Sequence, residues 1–116
     1  MITSRLDGDI VWIEINGEFL ADEMINETRK WMQSKKDSYI GYLVDIRKMT
    51  KQSAVEQKKV EEEAKNHGTR KPRAVLGKDI AMAAIVNIYQ RFTGAEGVHF
   101  FTDEASAKKW LHEYKA

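Results

Sequence analysis

Tyr39-Ile40-Gly41-Tyr42-Leu43-Val44-Asp45-Ile46 is the stretch that decides the fold. It is a near-continuous apolar run, rich in β-branched and aromatic residues and too short for an ordinary helix. Such a run reads as a strand buried on both faces, the habit of a parallel sheet. Parallel neighbours cannot be joined by a tight turn, so helical crossovers are required on either side. Upstream, a helix from about Leu20 to Lys36 fits. Leu20, Met24, Thr28 and Trp31, joined by Ile25 and Met32, form one apolar stripe at spacings of three and four. Glu18, Asp22 and Glu23 near its start and Lys35 and Lys36 near its end complement the helix dipole. Downstream, Ser53 to Asn66 reads as a second helix whose only apolar residues are Ala54, Val55, Val60 and Ala64. So thin a stripe predicts a shallow, peripheral contact.

Further from the central strand the pattern continues. Ile2 to Leu6 and Ile10 to Ile15 are two short strands separated by Asp7-Gly8, a dipeptide suited to a hairpin turn. Arg73 to Gly77 is the next strand, with Pro72 just before it, where a missing backbone donor does little harm. A third helix is predicted over about Asp79 to Phe92. Ile80, Ala81, Met82, Ala83, Ala84, Ile85, Val86, Ile88 and Tyr89 leave it almost no polar face, so it should be buried or covered by a partner. Val98 to Phe101 is the last strand. Thr102 is placed to cap a closing helix in which Ala107, Trp110, Leu111 and Tyr114 share one face. The fold class is therefore α/β: a small, mostly parallel five-stranded sheet with four helices, its first two strands an antiparallel hairpin. Residues 1–116 are read as one domain, as the length allows.

Composition narrows the function classes. The chain is 42% hydrophobic and 32% charged, which is globular rather than disordered. With no cysteine, disulfides, thiolate metal sites and cysteine nucleophiles are excluded. No stretch approaches the roughly 18 apolar residues of a membrane span, and no signal-like start is present, so a cytoplasmic protein is expected. The net charge of +1 implies no nucleic-acid partner. Charge is nonetheless uneven: between Arg47 and Lys78 ten basic residues face four acidic ones. Such a stretch reads either as a helix with lysines and glutamates paired along its face or as an anion-steering surface.

No residue set carries an obvious reaction. His67, His99 and His112 lack ligand-like spacing, so no metal is expected, and neither a nucleophile elbow nor a phosphate-binding glycine loop is present. No cofactor is implied and no catalytic residue is assigned. The most suggestive polar cluster follows the central strand: Asp45, Arg47, Lys48, Thr50, Gln52 and Ser53. Ligands in open α/β sheets bind beyond the carboxyl ends of strands. Read structurally, the same residues are a turn aspartate and an ordinary helix cap. The candidate ligand or partner surface is Asp45, Arg47, Thr50 and Ser53, with Met82, Ile85 and Tyr89 of the third helix.

The order of elements, the "YLVDIRKMT" strand ending in Asp45, "RAVLGKDIAMAAIVNIY" and the closing "FFTDEASAKKWL" resemble the SpoIIAA-like STAS domain family, in its branch of small stand-alone STAS/SEC14-type domains. The resemblance implies a four- or five-stranded sheet with helices in a β–α superhelix. Anti-sigma-factor antagonists of this fold carry an Asp-Ser-Ser/Thr-Gly-type motif whose serine a kinase phosphorylates. The matching segment here reads Met49-Thr50-Lys51-Gln52-Ser53-Ala54, so the motif is absent and no phosphosite carries over. Lipid-transfer relatives of the fold have much longer chains that enclose a lipid. The expected function is a non-enzymatic regulatory or protein-interaction module, acting as a homodimer through the third helix or on another protein. The alternative is a domain that binds a small anionic or amphipathic, lipid-like ligand.

Overall fold

A computed structural model describes residues 1–34, 38–51, 53–66, 71–84, 86–87 and 97–114. Five strands, β1 (Ile2–Asp7), β2 (Ile10–Glu18), β3 (Gly41–Lys51), β4 (Arg73–Leu76) and β5 (Val98–Phe101), form one sheet in the order of the chain. β1 pairs antiparallel with β2, and every later pairing is parallel. The hairpin closes with Asp7 opposite Ile10, which leaves Gly8-Asp9 as a two-residue turn. Gly8 takes the positive φ, 63°, that such a turn demands of its first central residue.

Three α-helices complete the described fold: α1 (Ala21–Ser34), α2 (Ala54–Asn66) and α3 (Glu104–Glu113). Among the described residues three α-helices are bounded, against the four expected. Where the third of the predicted helices was expected, Ile80–Met82 forms a single 3-10 turn, and Ala83, Ala84, Val86 and Asn87 are helical. The rest of that segment, with Ile85 and Tyr89, lies outside the described residues.

The sheet grows in one direction from β2 to β5, so right-handed crossovers put α1 and α2 on one face. The core reflects this. Ile13, Ile15, Tyr42, Val44, Ile46, Val75 and Val98 pack with Met24 of α1 and with Val86, and Val60 of α2 leans against them. Alternate residues of the same strands point the other way. Ile10, Trp12, Leu43, Ala74 and Leu76 pack against Ala107 and Leu111 of α3, which covers the second face alone among the described helices. The helix α3 starts one residue later than the sequence suggests. Asp103, not Thr102, is its N-cap and accepts a bond from the Ser106 amide.

Candidate functional site

The carboxyl end of the sheet departs most from the sequence reading. β3 does not stop at Ile46 but runs to Lys51, and β2 runs to Glu18 beside it. Register shifts between Glu14 and Asn16 and between Gly17 and Glu18 let this polar ribbon continue. Its charges are matched across the strands: Lys48 Nζ lies 3.6 Å from Glu14 and Lys51 Nζ 3.8 Å from Glu18. The basic character of residues 47–51 is thus largely answered within the sheet. Thr50 lies on this ribbon as an exposed strand residue, away from any helix start. Ser53 does head α2, its carbonyl accepting from the Gln57 amide at 3.0 Å.

Asp45 is buried at 4% exposure, on the α3 side of the sheet by strand alternation from Leu43. The guanidinium of Arg47 grips it with Nε and Nη2 at 3.0 and 2.8 Å, and the Arg47 amide donates a third bond at 3.0 Å. Burial would raise the Asp45 carboxyl, but these bonds and the Arg47 charge hold it below the ordinary carboxylate range. Because the folded-state value is depressed, its stabilisation is present at neutral pH and fades as pH falls through that value. Asp45→Asn is expected to lose about 1–2 kcal/mol at pH 7, discounted because Arg47 is half exposed. Urea unfolding should show the gap between wild type and variant closing towards pH 3; a gap independent of pH would refute the ion-pair account.

The other half of this edge is apolar. Leu76 leads through Gly77 to Lys78 and Asp79, and Ile80 then stands 78% exposed. An open groove of about 220 Å³ is lined by Ile80, Phe100, Phe101, Thr102, Asp103 and Ser106. Both the amide and the hydroxyl of Ser106 donate to Asp103 at 2.8 Å, which holds that carboxyl below its usual range. Met82 sits on the α1/α2 side, half-buried against the core, and its sulfur accepts from the Lys78 amide. The structure therefore brings Asp45 to Arg47, but it leaves Thr50, Ser53 and Met82 as separate points along the strand ends. Ile85 and Tyr89 are not described.

A second space was not foreseen from sequence. Beneath α2 a cavity of about 70 Å³ is lined by Ile15, Val44, Met49, Gln57, Val60 and Arg73, among others. Gln57 is buried. Arg73 stands opposite Tyr42 in the sheet, and its charge reaches the Tyr42 hydroxyl. Burial pushes that hydroxyl far above the ordinary tyrosine value; its 2.7 Å bond to the Tyr39 hydroxyl adds to the shift. Only strand register could have placed Arg73 here.

Among the described residues no group of three or more His, Asp or Glu side chains could hold a metal ion. His99 stacks on Trp110, and His112 Nε2 meets the Asp9 carboxylate at 2.9 Å. Among the described residues no helix is long and apolar enough to cross a membrane.

A profile described as SpoIIAA-like matches residues 10–112. Among solved structures, the chain is similar to a protein of the DUF3478 family with a SpoIIAA-like fold from Shewanella loihica PV-4. The TM-score is 0.65 at 19% identity, over 96% of this chain and 92% of that one. It is also similar to the anti-sigma factor antagonist SpoIIAA in its unphosphorylated form. There the TM-score is 0.62 at 8% identity, over 98% of this chain and all of that one. At these identities the likeness establishes the fold alone. A search of the curated proteins returned no match.

Proposed function

The chain belongs to the SpoIIAA-like family, and from that premise we propose that it is a non-enzymatic, cytoplasmic regulatory or protein-interaction module that lacks the phosphorylatable serine motif. The observation that carries this reading is Ile80, a large aliphatic side chain 78% exposed at the rim of the groove over Phe100 and Phe101. Single exposed apolar residues are common, but one beside an aromatic-floored groove forms part of a patch that gains from being covered. Ala81 and Ala84 continue the exposed surface with side chains small enough for close approach. A two-fold contact between copies would cover it with the same patch on both sides. The proposed partner surface centres on Ile80; of the other expected site residues, Met82 is half-buried against the core, Asp45 is buried under Arg47, Thr50 and Ser53 lie apart along the strand ends, and Ile85 and Tyr89 fall outside the described residues.

Sedimentation at micromolar concentration tests this. Wild type is expected to sediment as a dimer and Ile80→Asp as a monomer with an unchanged melting temperature. A strictly monomeric wild type would remove self-association, and the same patch would then have to capture a different protein. An alternative reading, a small-ligand domain, is favoured by the cavity beneath α2.

A further inference from the structure

We propose that the cavity beneath α2 is a binding site for a compact amphipathic carboxylate, with the apolar tail against β3 and the carboxylate group at Arg73. Its lining is otherwise almost wholly apolar: Ile15 comes from β2, Val44 and Met49 from β3 and Val60 from α2. Two polar residues interrupt this surface, the buried Gln57 above and Arg73 at one end. Register fixes the layout. Arg73 lies opposite Tyr42, and Val44 is one inward-facing position further along β3. The cationic end is therefore set by the amino ends of the strands, and the apolar lining extends from it towards Met49. An arginine at one end of a narrow apolar slot selects a molecule with one anionic group and a short tail, because it gives a carboxylate a forked donor and excludes a second charge further in.

Size sets the tail. The volume of about 70 Å³ is roughly half that of a cavity known to accept benzene, which suits a tail of about four carbons. Met24 and Met49 in the wall are unbranched and can swing aside for a somewhat longer one. The roof is the element best able to yield. α2 leaves Val55 outside, at 60% exposure, and presents Gln57 and Val60 to the cavity. Its polar ties to α1 include the Arg29–Glu63 pair at the surface and the Glu56 carboxylate, which accepts from the Ala21 amide at 3.1 Å.

The test uses four probes, butanoate, hexanoate, butan-1-ol and hexan-1-ol, followed by amide and methyl shifts in NMR titrations of the full chain. Both carboxylates are expected to shift Val60, Val75 and Val98. Each alcohol should bind at least tenfold more weakly than the acid of equal length. Arg73→Met should abolish that preference and Arg73→Lys should keep most of it. Val60→Phe, which fills the cavity, should abolish binding of all four probes. If Arg73→Met fails to fold, the acid–alcohol comparison and the lysine and phenylalanine variants still decide the matter. Equal binding of acid and alcohol, loss of the preference in Arg73→Lys, undiminished binding to Val60→Phe, or shifts confined to surface lysines would each overturn the proposal. None of these outcomes bears on the oligomeric state, so this site and the Ile80 surface stand or fall separately.

Discussion

Gly41→Ala is expected to cost about 3 kcal/mol, the upper end for overpacking a well-filled core. A Cβ built on Gly41 would meet the Pro72 carbonyl oxygen at 2.7 Å and the Leu111 side chain at 3.0 Å. The leucine could turn away, but the carbonyl cannot. It accepts the Tyr42 amide at 2.9 Å, a rung that begins the pairing of β3 with β4. Relief therefore means opening the centre of the sheet. Urea denaturation followed by circular dichroism gives the loss directly. Gly41→Ala/Leu111→Ala distinguishes the two contacts: if the carbonyl dominates, trimming the leucine does not rescue the alanine. A single variant as stable as wild type would show that the strand can shift aside.

Leu111→Ala carries the other large effect. Leu111 is buried against the sheet face that holds Trp12, Leu43 and Leu76, and it shares α3 with the equally buried Ala107. Removing its branched end leaves a hole in a surface of rigid strands that cannot close around it, so the expected loss is about 3–4 kcal/mol. Two surface contacts also tie α3 to the hairpin: Lys108 to Asp7 at 3.0 Å and His112 to Asp9 at 2.9 Å. Pairs as exposed as these contribute at most about 1 kcal/mol each. Lys108→Ala should accordingly lose far less than Leu111→Ala. The reverse order in chemical denaturation would mean that charge, not burial, holds this helix.

How much of this was legible follows from what each residue's signal depends on. Strand β3 announced itself because burial on both faces leaves an unbroken apolar run. The hairpin did so because Gly8 alone suits the positive φ of its turn. The five-stranded sheet was read correctly on these grounds, and the SpoIIAA-like family from the resemblance carried by the element order and the "YLVDIRKMT", "RAVLGKDIAMAAIVNIY" and "FFTDEASAKKWL" segments. The extension of β3 through Arg47 to Lys51 was invisible because its residues look like a loop until Glu14 and Glu18 are known to lie within reach on the neighbouring strand. Cross-strand charge matching belongs to the register, not to either strand. The same holds for Arg73, whose side of the sheet depends on alternation counted from its neighbours. The third predicted helix reads as apolar all round, yet its described part is divided: Val86 is buried and Ile80 stands in solvent. Composition gives the amount of apolar surface and says nothing of how it is shared between the interior and the outside.

The spatial order of the strands matches their order along the chain, and this has a consequence for synthesis on the ribosome. Each emerging strand adds beside the one made before it, so the sheet can be assembled progressively without waiting for a distant segment. The two faces do not mature together. The α1/α2 side is covered as the crossovers appear, whereas Ile10, Trp12, Leu43 and Leu76 wait for Ala107 and Leu111 on a helix that follows all five strands. A nascent chain halted before residue 104 would display a greasy, nearly complete sheet face. It is at this stage that a chaperone would have most to hold and premature aggregation most to exploit.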